Sequence, residues 1–294
     1  MEPSAGYLEG MRSLLSVVSV VIGFAMLAET APKSITVQGH RGARTVRPEN
    51  TLPAFEYAIE VGADLLELDL GVTSDNVLVV HHDQTINLKI CQGPEGETAI
   101  RRLTLAQVKQ FDCGSKRAEG FPRQELAPGT KIPTLDEVLA LAPKGSFWFN
   151  IEMKSNPKRP DLAPEPEEFA RLVAEAVRKH GLEKRVVVQS FDWRNLKALK
   201  AIAPELRLAA LYGGLPKDFV KIAEEAGGVP IVSPHHLLVT KSRVKKAHKA
   251  GLTVVPWTAN DAKQWDRLIK ANVDSIITDD PAALIEHLRA RKLR

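Results

Sequence analysis

The 294-residue sequence predicts an α/β fold, namely a closed (β/α)8 or TIM barrel with a small insertion between its early units. Strand-like apolar runs alternate with helical runs after residue 34, and the strand–helix units number eight. One long irregular stretch, about residues 84–134, interrupts the alternation. Repeated strand–helix alternation implies parallel strands, and eight such units are the number that closes a barrel.

The predicted units follow one another in chain order. The first strand, ITVQGH, precedes the helix TLPAFEYAIEVG. The second strand, DLLELDLGVT, is taken to extend through NVLVVHHD, and the irregular stretch with the short helix TLAQVKQF follows it. The remaining units begin with the strands FWFNIEMK, RVVVQSF, RLAALYG, PIVSPHH, LTVVPWTAN and SIITDDP. A long irregular stretch inside a compact domain is typical of an active-site lid, so we expect the insertion to lie over the barrel mouth.

The N-terminal segment differs in character from the rest of the chain. An apolar run extends from Leu14 to Ala28 after one basic residue. This run is short for a membrane span, which needs about 20 apolar residues, and suits a secretory signal. An uncleaved anchor is the alternative. We therefore exclude residues 1–31 from the fold, assign 32–294 to one catalytic barrel domain, and expect an exported, periplasmic or extracellular protein without a stable membrane span after processing.

The charge balance argues against a nucleic-acid partner. The chain has 40 basic and 36 acidic residues, a formal net charge of +4, and the two signs are interleaved along it. Dedicated nucleic-acid binders instead concentrate basic residues on one face.

The two cysteines, Cys91 and Cys113, both fall in the predicted insertion. In an oxidising compartment, one disulfide bridge closing this loop is a reasonable expectation. Two free buried thiols are the alternative.

The second strand carries two acidic residues at alternate positions. Side chains alternate between the faces of a strand, so the three flanking leucines should pack on helices while Glu67 and Asp69 point into the barrel. Inward carboxylates are costly unless they are neutralised. Oxygen ligands of this kind suit a hard divalent cation, Mg²⁺ or Ca²⁺. A surface pair on an edge strand is the alternative.

The strand FWFNIEMK follows the same pattern. Asn150, Glu152 and Lys154 share one face, and the intervening apolar residues share the other. Polar residues on an inward face indicate a site, because barrel interiors are otherwise filled with branched apolar side chains. Glu152 could be a third oxygen ligand, and Lys154 could contact an anionic substrate. A purely structural Glu–Lys pair is the alternative.

Histidines and an arginine complete the polar residues at the predicted strand ends. His40 and Arg41 end the first strand, although a His-Arg-Gly sequence can also be an ordinary turn. His81 and His82 are consecutive on an extended segment, so only one of them can face the site. Fixed positive charge suits a phosphate, and two histidines suit acid–base catalysis near neutral pH. Together with three acids, these residues match the requirements of phosphodiester cleavage.

Several short motifs resemble those of the glycerophosphodiester phosphodiesterase family. They are HRG at 40–42, PENT at 48–51, ELD at 67–69, HD at 82–83, IEMK at 151–154, PWTAN at 256–260 and IITDDP at 276–281. Each motif is weak by itself, but their order along the chain is a strong signal. The resemblance departs at Leu88, near which family members often carry an arginine.

The resemblance implies a metal-dependent enzyme that hydrolyses glycerophosphodiesters to sn-glycerol 3-phosphate and an alcohol. In such enzymes the glycerol 2-hydroxyl is thought to attack phosphorus, and water then opens the cyclic phosphate. The implied ligands of one divalent cation, Ca²⁺ or Mg²⁺, are Glu67, Asp69 and Glu152. The implied acid–base pair is His40 and His82. The implied substrate contacts are Arg41, Lys154 and Trp257.

Three other functions remain open from the sequence. A glycosidase could use Glu67 and Glu152 as its two carboxylates, but the cationic residues and histidines would then have no role. A catalytically inactive binding barrel is a second alternative. A phospholipase D acting on lysophospholipids, within the same family, is the third.

Overall fold

The computed structural model describes residues 34–294. The predicted leader at residues 1–31 lies outside this range. Among the described residues, no helix combines the length and apolar character needed to cross a membrane.

Eight parallel strands form a nearly closed barrel, as the sequence predicts, and a ninth strand pairs outside it. In chain order the strands are β1 (Thr36–Gly39), β2 (Leu65–Val72), β3 (Leu78–Val80), β4 (Trp148–Met153), β5 (Val186–Ser190), β6 (Arg207–Tyr212), β7 (Ile231–Pro234), β8 (Thr253–Val254) and β9 (Ser275–Thr278). Around the barrel the order is β1, β2, β4, β5, β6, β7, β8, with β9 beside β1. Backbone hydrogen bonds from Asp274 N to Val254 O and from Ile277 N to Pro256 O link the β8 segment to β9.

Helices surround this barrel and complete the eight units. They are α1 (Leu52–Glu60), α2 (Leu105–Val108), α3 (Leu135–Leu139), α4 (Pro166–Lys179), α5 (Trp193–Ile202), α6 (Phe219–Glu225), α7 (Lys241–Lys249), α8 (Ala262–Ala271) and α9 (Pro281–Arg289). Several begin where an aspartate or threonine side chain accepts a hydrogen bond from the first helical turn, as Thr51, Asp192 and Asp261 do. The short α2 lies within the insertion, so α3 is the second helix of the barrel.

The main core lies between the strands and the helices. Leu66, Leu68 and Leu70 of β2 and Ile151 of β4 are fully buried in it. The alternating residues of the same strands therefore point to the barrel interior, which is the parity that the sequence predicts.

The predicted extension of the second strand through residues 76–83 is wrong. β3 instead folds back antiparallel on β2, with Leu70 opposite Val80 and Val72 opposite Leu78. A tight turn separates the two strands, in which Thr73 N donates to Val77 O and Asn76 adopts a left-handed conformation with φ 59°. Asparagine tolerates this conformation better than most residues, so the turn reverses the chain.

The insertion has a small core of its own and carries the disulfide between Cys91 and Cys113. This pairing confirms the expected bridge and excludes two free thiols. The insertion contacts the carboxyl end of the barrel: the Gln124 amide donates to Arg44 O, and Arg123 forms an ion pair with Asp280, which follows β9. It therefore borders the barrel mouth.

Candidate active site

Three buried carboxylates meet at the carboxyl end of the barrel. Glu67 and Asp69 of β2 and Glu152 of β4 are each no more than 5% exposed. Asp69 and Glu152 are neighbours in the parallel register of the two strands. One carboxylate oxygen from each residue lies within 4.8 Å of the others. The structure therefore brings together the three residues that the sequence predicts as metal ligands.

Hydrogen bonds fix two of these carboxylates. Glu67 accepts from the backbone N–H of Arg41 at 2.9 Å and from the Gln189 amide at 3.0 Å. Arg41 follows the end of β1 in a left-handed conformation with φ 52°, and its N–H faces Glu67. Asp69 accepts from the Asn50 amide at 2.8 Å. The motifs HRG and PENT therefore contribute to the site partly through groups that orient the acids.

The carboxylates cannot all ionise freely in this environment. Burial, together with the neighbouring Asp69, raises the pKa of Glu67 well above its usual range. Burial and Asp69 likewise raise the pKa of Glu152 to about 7, although Lys154 opposes this. Burial also opposes ionisation of Asp69, but the Lys154 and Arg41 cations outweigh it and hold the pKa of Asp69 well below its usual range. Crowded, dehydrated carboxylates of this kind are stabilised by a bound cation.

The donor set fits a hard divalent cation. All three side chains offer oxygen atoms, which are the ligands that Ca²⁺ and Mg²⁺ prefer. Hydrogen bonds to Glu67 and Asp69 fix the orientation of these two side chains. At many metal sites, neighbouring groups orient the ligands in the same way. The residues present therefore match a divalent cation of the kind that the sequence predicts.

His40 lies at the edge of the carboxylate cluster. Its Nε2 is 4.0 Å from Glu67, and its Nδ1 is 2.5 Å from Asp279 at the end of β9. The Asn260 amide donates to the other Asp279 oxygen at 2.7 Å. Burial lowers the pKa of His40, and Arg41 lowers it further, so a neutral ring is favoured near pH 7. Asp279 accepts the Nδ1 hydrogen of that ring and leaves Nε2 as the basic atom.

The two consecutive histidines occupy different environments. His82 lines the catalytic pocket with its side chain one-third exposed, and its Nδ1 is 2.7 Å from Asp83. His81 is buried, and its Nε2 accepts from the backbone N–H of Asn87 inside the insertion. The structure therefore places His82, and not His81, at the site that the resemblance implies.

The cationic residues are held by acids rather than free. Arg41 donates to Glu49 at 2.6 Å, and Arg44 lies 2.5 Å from the other oxygen of the same carboxylate. Lys154 Nζ lies 3.0 Å from Glu152 and 3.2 Å from Asp69. The structural Glu–Lys pair that the sequence allows is thus present, and it lies within the predicted site.

A pocket of about 240 Å³ connects these groups. Trp257, predicted as a cleft wall, lines one side with Phe191, and their rings meet edge to face at 5.3 Å. Trp257 Nε1 donates to Ser233 O at 2.8 Å, which fixes the indole. The pocket therefore has charged groups on one side and aromatic carbon on the other.

Sequence reasoning missed several residues of this arrangement. Asp279 and Asn260 stand inside the motifs IITDDP and PWTAN, but the sequence pattern alone indicates no role for them. Gln189 had a detectable signal, because it is the polar residue at an inward position of an otherwise valine-rich strand. Arg44 and Phe191 had no comparable signal in the sequence.

Comparisons with known proteins agree on one family. A model described as the glycerophosphoryl diester phosphodiesterase family matches residues 40–283. A glycerophosphodiester phosphodiesterase of Caldanaerobacter subterraneus is 37% identical over 86% of this chain and 97% of its own. A lysophospholipase D from Rattus norvegicus is 27% identical over 85% of this chain and 84% of its own. The crystal structure of a protein from Silicibacter pomeroyi superposes with a TM-score of 0.83, 30% identity, and coverage of 89% of this chain and 95% of that one. The chain therefore belongs to the glycerophosphoryl diester phosphodiesterase family and is an enzyme of the phosphoric diester hydrolase class.

Proposed function

We propose that the protein hydrolyses glycerophosphodiesters to sn-glycerol 3-phosphate and an alcohol, with one divalent cation and a pair of histidines. The observation that carries this proposal is the shared pocket of about 240 Å³, which is lined by two of the carboxylates, both histidines and two arginines. A glycosidase would need only the acids.

The cation is the first component of the proposal. Glu67, Asp69 and Glu152 would hold Ca²⁺ or Mg²⁺, which would act as a Lewis acid and stabilise charge that develops on the phosphoryl oxygens. The proximity of the three carboxylates and the raised pKa of Glu67 and of Glu152 support this component.

His40 is proposed as the general base. Its low pKa keeps Nε2 unprotonated near neutral pH, and Asp279 stabilises the charge that appears when His40 takes a proton. The group that loses this proton is the glycerol 2-hydroxyl, whose oxygen attacks phosphorus. Arg41 and Arg44, on the same side of the pocket, supply positive charge to the phosphate.

His82 is proposed as the general acid. Its ring is the more exposed of the two, and the contact of its Nδ1 with Asp83 at 2.7 Å holds the ring in place. It gives a proton to the alcohol oxygen as the phosphorus–oxygen bond to that alcohol breaks. Water then opens the cyclic phosphate, so the net reaction consumes one water and yields a phosphomonoester and an alcohol.

Product analysis tests this proposal directly. Phosphorus NMR of the purified protein with glycerophosphocholine and Ca²⁺ should show conversion to sn-glycerol 3-phosphate, and a choline assay should show an equal amount of choline. Release of phosphocholine with glycerol would place the cleaved bond on the other side of phosphorus and contradict the proposed roles. The rat relative named lysophospholipase D supports including lysophosphatidylcholine in the substrate panel.

Export is proposed as well. The apolar run from Leu14 to Ala28 and the disulfide between Cys91 and Cys113 both support a location outside the cytoplasm. N-terminal sequencing of the natively produced protein should find a chain that begins near Pro32. Recovery of residues 11–28 on the mature chain would support an anchor instead.

A further inference from the structure

A series of buried amide side chains crosses the barrel interior below the carboxylates. Gln189 of β5 donates to Glu67 at 3.0 Å, and its Oε1 accepts from Asn150 of β4 at 3.1 Å. The same Asn150 NH2 group donates to Gln38 Oε1 of β1 at 2.8 Å. Gln38 donates in turn to Ser275 Oγ of β9 at 3.0 Å. All five residues are at most 4% exposed, so bulk water does not compete for these hydrogen bonds.

The carboxylate at one end of this series fixes the direction of the hydrogen bonds. An ionised carboxylate can only accept, so Gln189 must present its NH2 group to Glu67 and its oxygen to Asn150. Asn150 must therefore present its own NH2 group to Gln189. The other end imposes no direction, because the Ser275 hydroxyl can both donate and accept. The amide orientations thus follow from Glu67 and not from Ser275.

Asn150 forgoes a hydrogen bond in this arrangement. Its Oδ1 is buried and has no hydrogen-bond partner among the described residues. A buried acceptor without a partner costs free energy. The reversed amide would place Oδ1 against the oxygens of Gln189 and Gln38, and neither oxygen can donate to it. These two acceptors therefore hold the Asn150 amide in one orientation.

Asn150 acts from a layer below the catalytic pocket. It is opposite Glu67 in the register of β2 and β4, and it is the inward residue that precedes Glu152 on β4. Gln189, in contrast, lines the pocket itself. The hydrogen-bonded route from Asn150 to the carboxylates therefore passes through Gln189.

We propose that Asn150 is a positioning residue for the cation site. It holds the Gln189 amide with its NH2 group toward Glu67, and this donor keeps the Glu67 carboxylate turned to the site that the three acids would share. The inference rests on the proposed function, because it requires that these acids bind a cation. Without the Asn150 donor, the Gln189 amide can rotate and Glu67 is less constrained, so the cation should bind more weakly.

The test is isothermal titration of the chelator-treated protein with Ca²⁺ and with Mg²⁺, comparing the Kd of the tighter-binding ion among variants. Asn150→Leu keeps the branched shape of the side chain without an N–H group and should raise this Kd about tenfold. Gln189→Met should raise it about 10- to 100-fold, the usual range for a residue that orients a metal ligand.

Gln38→Met is the matched control, because it removes a buried amide on the side of Asn150 away from the carboxylates. It should lower the urea midpoint of unfolding as Asn150→Leu does, since both variants lose buried hydrogen bonds. Its Kd should stay within about threefold of the wild-type value, because Gln38 donates nothing toward Glu67.

A double variant separates positioning through Gln189 from a general loosening of the barrel. If Asn150 acts through Gln189, then adding Asn150→Leu to Gln189→Met should change the Kd by no more than about twofold. Independent effects would instead multiply. Asn150→Ser, whose side chain is shorter, takes the place of Asn150→Leu if that variant does not fold.

The possible failures are distinguishable. An unchanged Kd in Asn150→Leu, equal increases in Asn150→Leu and Gln38→Met, or multiplied increases in the double variant would each overturn the positioning role and leave the cation site standing. Binding of neither Ca²⁺ nor Mg²⁺ by the wild-type protein would overturn the cation component of the proposed function, and this inference with it.

Discussion

The most informative single substitution is Asp279→Asn. In the structure, one carboxylate oxygen accepts from His40 Nδ1 at 2.5 Å and the other accepts from the Asn260 amide at 2.7 Å. An asparagine has only one acceptor oxygen, so its own NH2 must face one of these two donors. The substitution therefore either misorients His40 or breaks the contact that holds residue 279 in place.

The size of the effect follows from the lost interaction. A hydrogen bond to a charged group is worth about 1.5–3 kcal/mol, and each 1.36 kcal/mol is a factor of ten in rate, so kcat/KM should fall roughly 10- to 150-fold.

The pH dependence of kcat/KM should move to lower pH as well. The Asp279 carboxylate raises the pKa of His40, and activity is lost as the pH falls through that pKa. The variant should therefore keep its remaining activity to a lower pH than the wild type does.

The assay is choline release from glycerophosphocholine at saturating Ca²⁺, measured across the acid and neutral range, with folding checked by circular dichroism. Asp280→Asn is the matched control. The adjacent Asp280 is equally buried, but its carboxylate caps α9 at Ala283 N and pairs with Arg123. The control should retain kcat/KM within about twofold. Wild-type activity in Asp279→Asn, or equal losses in both variants, would refute the positioning role.

Three further predictions use other parts of the structure. His82→Ala should lose about 10²–10⁴ in kcat/KM for glycerophosphocholine while His81→Ala keeps most of it, and the reverse order would show that the role assignment is wrong. Replacing Cys91 and Cys113 by alanine should lower the free energy of unfolding by about 3 kcal/mol in urea titrations, whereas an unchanged midpoint would contradict a stabilising bridge. Because the pKa of Glu152 is raised to about 7, Ca²⁺ binding should release protons. Calorimetry in buffers of different ionisation enthalpy should show this release growing as the pH falls below about 7, and binding heats that do not depend on the buffer would exclude it.

The parts of the site that sequence could predict depend on local patterns. Glu67 and Asp69 could be placed inside the barrel because strand alternation and the flanking leucines determine their face. Glu152 follows by the same reasoning on the next barrel strand. The eight barrel strands could be predicted for a similar reason, since each apolar run and each helix cap is encoded within a few residues.

The parts of the fold and of the site that sequence could not predict depend on contacts between residues that are far apart in the chain. Asp279 is 239 residues from His40 and reaches it only because β9 lies beside β1. The apolar run in β3 has the same pattern whether it extends β2 or folds back on it. The chain reverses because of the turn at Asn76. The aromatic wall of the pocket likewise combines Phe191 after β5 with Trp257 after β8, so no one segment of the sequence reveals it.

The measurement that tests the central claim most directly is Ca²⁺ and Mg²⁺ binding and turnover on the same preparation. Isothermal titration of the chelator-treated protein should show one site, and choline release from glycerophosphocholine should be absent before metal addition and return in proportion to occupancy. Asp69→Asn should weaken binding and turnover together, because its carboxylate is one of the three that converge. Full turnover in metal-free protein, or unchanged binding in Asp69→Asn, would contradict a cation held by Glu67, Asp69 and Glu152.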